Sequence, residues 1–105
     1  MVKKISSSVF ISGNGSNLKS IIKNSRYYNF PIKIDLIISN NINAHGLKYA
    51  KKYNIPSKFY SSDNKNKFER NCLVELKKRR IKFLCLAGFM KILSKNFIEN
   101  FRYEI

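Results

Sequence analysis

The run Phe10-Ile11-Ser12-Gly13-Asn14-Gly15-Ser16-Asn17-Leu18 constrains this chain more than any other stretch, because an apolar segment breaks there into a two-glycine turn and then a helical pattern. Glycine lets the backbone turn tightly and approach a ligand with no Cβ in the way. The helix that follows offers free N–H groups and the positive end of its dipole. An anion, above all a phosphate, suits such a turn. The spacing is Gly-x-Gly-x-x-Leu. Without the third glycine of the dinucleotide fingerprint, a mononucleotide or sugar phosphate is the better match. A plain strand-to-helix connection that uses glycine only for its own geometry stands as the alternative.

The rest of the chain repeats that strand-to-helix grammar. Residues 5–11 read as a first strand, with three serines in its opening half. Ser16 or Asn17 is a suitable N-cap for a helix whose apolar face, Leu18, Ile21 and Ile22, reaches to about Tyr28. Phe30-Pro31 ends it. Ile32-Lys33-Ile34-Asp35-Leu36-Ile37-Ile38 alternates and then becomes continuous, as a strand buried on both faces does, and Ser39-Asn40-Asn41 closes it. A second helix is expected from about Asn43, with Ala44, Leu47 and Ala50 on one face, ending before Asn54-Ile55-Pro56. A brief strand at 57–60 precedes a third helix with cap candidates Ser61, Ser62 and Asp63 and an apolar side of Phe68, Cys72, Leu73 and Leu76. Residues 81–87 read as the clearest buried strand. Strand and helix thus alternate four strands deep, which predicts an α/β fold: a mostly parallel sheet with helices on both faces and ligands beyond the carboxyl ends of the strands.

Composition narrows the function classes. The chain has 105 residues, the size of one domain or part of one. Its 21 Lys and Arg against 6 acidic residues give a net charge of +15, which invites a nucleic-acid reading. The cations are scattered, however, and no aromatic-basic alternation that could stack bases accompanies them. The one dense cluster, 77–80, falls at the end of the third helix, where cations complement the helix dipole. Nucleic acid is therefore not an expected partner. Cys72 and Cys85, without a Cys-x-x-Cys pair, make neither a zinc site nor a disulfide framework, and Cys85 reads as a small buried hydrophobe. The longest apolar run, Phe83 to Met90, is too short to cross a bilayer, and the start of the chain is too polar for a secretory signal. No membrane association and no metal are expected, and a cytoplasmic location is.

Three motifs then carry a resemblance. Ile11-Ser12-Gly13-Asn14-Gly15-Ser16-Asn17-Leu18, Ile38-Ser39-Asn40 followed by Ala44-x-Gly46-Leu47, and Leu86-Ala87-Gly88-Phe89-Met90-Lys91-Ile92-Leu93-Ser94, in that order and spacing, resemble the phosphoribosylglycinamide formyltransferase family. The resemblance spans all 105 residues and only the N-terminal half of the family's chain. It implies a Rossmann-like formyltransferase fold with the first four strands present. It also implies transfer of a formyl group from 10-formyltetrahydrofolate, as co-substrate, to the amine of glycinamide ribonucleotide in purine biosynthesis.

Carried over by residue, Gly15, Ser16 and Asn17 match the loop that holds the ribonucleotide phosphate. Met90, Lys91, Ile92 and Leu93 match the segment that lines the folate site, and Lys65 falls where the family has a basic residue near the folate's glutamate tail. Lysine there keeps the charge but loses the bidentate fork of arginine. Phe89 and Met90 read equally well, from composition, as core residues. No catalytic residue is expected in this chain: the family's Asn-x-His-Pro-Ser segment is expected immediately after Ile105 and its catalytic Asp further on. His45, the sole histidine, reads as a surface residue. The expectation is thus of a single unit, 1–105, forming the N-terminal part of a formyltransferase domain cut short before the catalytic segment. A formyltetrahydrofolate hydrolase-like enzyme and a basic nucleic-acid-binding α/β module remain the alternatives.

Overall fold

In the computed structural model, which describes residues 3–13, 16–101, 103 and 105, strands and helices alternate as the apolar pattern predicts. The elements are β1 (Ile5–Ile11), α1 (Ser16–Ser25), β2 (Ile32–Ser39), α2 (Gly46–Lys52), β3 (Ser57–Phe59), α3 (Lys65–Lys78), β4 (Phe83–Leu86) and α4 (Lys95–Asn100). The four strands form one sheet in the order β3-β2-β1-β4, with every pairing parallel. The chain walks outward from β1 to β3, and α3 then carries it back past β1 to the opposite side. That reversal places a topological switch point at the carboxyl ends of β1 and β4, where open α/β sheets hold their ligands.

Side-chain alternation along β1 sends Val9 and Ile11 to one face and Phe10 to the other. On the first face α1 contributes Leu18 and Ile22, the turn before α2 contributes Ala44, and α2 contributes Ala50 to an aliphatic core. On the second, α3 and α4 contribute Phe68, Cys72, Leu76 and Phe97 to an aromatic one. Helices therefore cover both faces. β1 is flanked on both sides, by β2 and β4, and its Ser7 and Ser8 are fully buried there.

The pattern of β2, alternating and then continuous, has a specific cause. Ser7 pairs with Ile34 but Ser8 pairs with Leu36, so Asp35 is an extra residue, a bulge. The bulge shifts the phase of the strand, so that Ile34 and Ile37 share the aliphatic face while Leu36 and Ile38 share the aromatic one. Asp35 itself accepts a hydrogen bond from Ser6 Oγ and faces Lys33 Nζ at 3.8 Å.

Several boundaries differ from expectation, each for a local reason. α1 stops at Ser25 rather than near Tyr28. Ser25 Oγ turns back to the Ile22 carbonyl (2.7 Å), Lys4 Nζ takes the carbonyls of Ser25 and Tyr27, and exposed Tyr28 has no apolar face to extend. Ser16 and Asn17 lie inside the first turn of α1, not before it. α2 begins at Gly46, not Asn43, because Asn41 forms its own turn: its side chain accepts the Asn43 N–H (3.0 Å) and its carbonyl the Ala44 N–H (3.1 Å). The cap of α3 is Asn64, whose side chain accepts the Lys67 N–H at 3.0 Å. Ser61 and Ser62 instead bond to Asp63 N–H and Asn40.

β4 is shorter than 81–87 and less buried than its sequence implies. Among the described strands it pairs with β1 alone, so Phe83 and Cys85 are only half-buried and Leu86 is exposed. α4 was not expected. Its signal is Ser94, an N-cap whose hydroxyl accepts the Phe97 N–H at 3.1 Å, with Phe97 buried one turn on.

Candidate functional site

At the carboxyl end of the sheet one buried side chain, Ser12, ties three strand ends together. Its hydroxyl donates to Asn40 Oδ1 (2.7 Å), just beyond β2, and accepts the backbone N–H of Met90 (2.9 Å), four residues past β4. Asn41 Nδ2 reaches the Ser12 carbonyl (3.3 Å), and Asn40 Nδ2 reaches Ser62 Oγ (3.2 Å) on the connection to α3. β2 ends there because Ser39, fully buried, loops its hydroxyl onto the backbone of Asn41, accepting the N–H at 3.0 Å and donating to the carbonyl at 2.8 Å. All of these segments therefore meet at the switch point between β1 and β4.

Two loops flank this junction. The first is the glycine turn. The Gly13 carbonyl accepts the N–H of Gly46 (3.3 Å), which sets the start of α2 beside the turn. Gly13 has an ordinary φ, and a Cβ built on it would meet nothing within 4 Å, so the fold itself does not require glycine there. Ser16 and Asn17 open α1, and both residues are exposed. Asn14 and Gly15 lie outside the described residues, and the phosphate role expected of Gly15 lies there with them.

The second loop leaves β4 through Gly88, whose φ of +68° is a left-handed conformation that glycine adopts without strain. Phe89 turns inward, stacked on Phe68 at 5.8 Å and edge-on to Phe10 at 5.5 Å, so of the two readings of Phe89 the core one holds. Met90 and Ile92 point outward at 77% and 85% exposure, far more than apolar side chains seated in a core. Lys91 is exposed between them, while the Leu93 side chain returns to the aromatic core. Lys65, exposed at the first position of α3, follows three residues after Ser62.

Below the second loop lies a pair of residues not singled out from sequence. Glu69 of α3, 6% exposed, accepts the Ser94 N–H (2.7 Å) and the Ser94 hydroxyl (2.6 Å). Its signal was a charged residue inside the apolar stripe of α3, next to Phe68 and one turn from Cys72. Burial, with a further contribution from Glu69, pushes the Cys72 thiol far above its ordinary range, and burial also raises Cys85. Both cysteines are free thiols, Cys72 buried and Cys85 half-buried. His45 is exposed, immediately before α2. Among the described residues no group of three His, Cys, Asp or Glu side chains could hold a metal ion, and no helix is long and apolar enough to cross a membrane.

Comparison with known proteins agrees with this geometry. A model of the family described as formyl transferase matches residues 5–105. The chain belongs to the formyl transferase family. It is 36% identical over 107 residues to phosphoribosylglycinamide formyltransferase of Haemophilus influenzae, covering 99% of this chain and 50% of that one. It is 38% identical over 100 residues to the human trifunctional purine biosynthetic protein adenosine-3, covering 92% of this chain and 10% of that protein. Among solved structures, phosphoribosylglycinamide formyltransferase from Brucella melitensis superposes with a TM-score of 0.90 at 30% identity, over 95% of this chain and 54% of that one. The formyltransferase architecture inferred from the three motifs is thus the observed one, and the chain spans from 10% to 54% of the length of these relatives.

Proposed function

We propose that this formyltransferase chain binds glycinamide ribonucleotide and 10-formyltetrahydrofolate side by side and aligns them for formyl transfer in purine biosynthesis. The phosphate of the ribonucleotide is assigned to Gly15, Ser16 and Asn17. The folate is assigned to Met90, Lys91, Ile92 and Leu93, with Lys65 near its glutamate tail. One observation carries this reading: Ser12 bridges the end of β1 to Met90, so the glycine turn and the 90–93 segment flank a single switch point. A glycine at position 13 that the fold does not itself require supports a backbone kept bare for a ligand. Exposed Met90 and Ile92 offer apolar contact to a pterin, and Leu93, with its side chain in the core, contributes through its backbone.

In formyl transfer the ribonucleotide amine attacks the formyl carbon, a new C–N bond forms, the bond from that carbon to the folate nitrogen breaks, and a proton passes from the amine to that nitrogen. Holding both reactants at adjacent strand ends supplies orientation, which lowers the barrier by replacing a bimolecular encounter. Stabilising the oxyanion and moving the proton are separate tasks, suited to an amide donor, an imidazole and a carboxylate. They are assigned to no residue of this chain. A cytoplasmic setting goes with this reading.

Titration of the isotope-labelled chain tests it by amide chemical shifts. Glycinamide ribonucleotide should move Gly13, Ser16 and Asn17, and a stable 10-formyl folate analogue should move Met90 to Leu93. Unmoved turn amides at saturating ribonucleotide refute the phosphate assignment and favour a hydrolase-like enzyme, which needs no sugar phosphate.

A further inference from the structure

The 90–93 segment has no regular secondary structure, yet a buried side chain holds its backbone on each side. On the N-terminal side, the Met90 N–H donates to Ser12 Oγ at 2.9 Å, and Ser12 is oriented by its own bond to Asn40 Oδ1 at 2.7 Å. On the C-terminal side, the Ser94 N–H and hydroxyl both donate to the Glu69 carboxylate, at 2.7 and 2.6 Å. Ser12 and Glu69 are 8% and 6% exposed, so neither bond competes freely with water. Between the pins, the side chains of Met90 and Ile92 remain outside.

We propose that Ser12 and Glu69 are positioning residues that hold the backbone of residues 90–93 in its ligand-ready form from the two ends. The ligand half of this inference rests on the folate assignment above. A loop pinned by hydrogen bonds to rigid elements loses less conformational freedom when a ligand settles on it. Ser12 anchors the segment to the end of the central strand and Glu69 anchors it to α3, so the two act independently and by the same means. Neither side chain needs to touch the ligand.

The full chain tests this with four variants: Ser12→Ala, Ser12→Thr, Glu69→Ala and Glu69→Gln. Hydrogen exchange without ligand reads the pins directly. Met90 exchange should rise roughly five- to tenfold in Ser12→Ala, and Ser94 exchange by at least as much in Glu69→Ala, the worth of one buried hydrogen bond in each case. Ser12→Thr and Glu69→Gln, which keep an acceptor, should recover most of that protection. Affinity for 10-formyl-5,8-dideazafolate, a stable folate analogue, should fall roughly three- to tenfold in each alanine variant and return in the conservative ones. Affinity for glycinamide ribonucleotide should change less than about twofold, since general loosening would weaken both ligands alike.

Unchanged Met90 and Ser94 exchange overturns the pins, and equal losses for both ligands reduce them to a structural role and overturn the positioning claim. A wild-type chain that binds neither ligand overturns the functional reading, and the exchange results still judge the pins by themselves.

Discussion

The two faces of the sheet are built from different materials. The face under α1 and α2 is aliphatic and finely grained, with Val9, Ile11, Leu18, Ile22 and three buried alanines. The face under α3 and α4 is aromatic: Phe10 lies edge-on to Phe68, Phe89 and Phe97, with ring centroids 6.5, 5.5 and 6.3 Å away. The difference follows the two loops of the candidate site. On the aliphatic side, the Gly13 carbonyl accepts the Gly46 N–H at the start of α2, and α1 follows with Leu18 and Ile22 in that core. The 88–94 segment rests on the aromatic face, held by the Phe89 ring and the Leu93 side chain. On the functional reading proposed above, a turn that leaves room for an anion goes with the aliphatic face, and a loop that presents a flat surface goes with the stacked rings below it.

The largest effect that can break this comparison is Phe10→Ala. Removing a fully buried ring shared by three others should destabilise the chain by about 3–5 kcal/mol, a large part of the total stability of a small domain. The Phe89 ring signals should lose their dispersion as the 88–94 loop loosens. Ile22→Val on the other face should cost about 1 kcal/mol and leave those signals in place. Urea unfolding and aromatic NMR measure both, and equal disturbance of Phe89 by the two changes would erase the distinction between the faces.

Glycine substitutions sharpen the contrast between the loops. Gly88→Ala should cost about 1–2 kcal/mol, because an L-residue at φ +68° brings its Cβ against the following carbonyl. Gly13→Ala, with open space and an ordinary φ, should cost less than about 0.5 kcal/mol yet weaken glycinamide ribonucleotide binding. A thermal melt paired with a binding titration separates the two effects. If Gly13→Ala binds as wild type, the bare-backbone argument for the turn fails.

Smaller effects probe polar groups on the aromatic side. Ser8 shares the face of Phe10, is fully buried, and its hydroxyl has no hydrogen-bond partner, so Ser8→Ala should be neutral or raise stability by up to about 1 kcal/mol. A loss above that size in urea unfolding would mean the hydroxyl does bond. The Arg79 guanidinium, through its hydrogen bond and then its charge, holds the Glu75 carboxyl below the usual range, with Lys58 and Lys78 adding to it and burial opposing. A depressed carboxylate stabilises the fold above its unfolded pKa of about 4.3 and loses that contribution as pH falls through the folded value. Glu75→Gln should therefore cost about 0.5 kcal/mol at neutral pH, and the difference from wild type should vanish in strongly acidic solution. A difference independent of pH from 7 to 3 would remove the charge from the explanation.

Much of this was legible in the chain before any coordinates. β1, the closing of β2 by Ser39-Asn40-Asn41, the end of α2 before Asn54 and the apolar side of α3 all came from period, caps and turn residues, which act over a few positions. The site was legible as segments: Ser12 stood inside the glycine motif and Met90 inside the apolar run after β4. That the hydroxyl of one and the N–H of the other meet could not be read, because 78 residues separate them. Glu69 escaped because a carboxylate in a helix reads as solvated until its partner on another element is known.

What the sequence determined by itself was the order of the elements from β1 to β4, the apolar residues of β1 and β2, and the position of the glycine turn between β1 and α1, since all three are written in local spacing. Tertiary structure alone decided strand order and the consequences of that order. It made serine-rich β1 the centre and apolar β4 the margin among the described strands, and it placed a bulge at Asp35 that re-phased β2. It also folded the loop after β4 back onto Ser12 and Glu69. The physical reason is that burial and hydrogen-bond partners depend on neighbours brought together across the fold, and a residue's own type limits but does not select them.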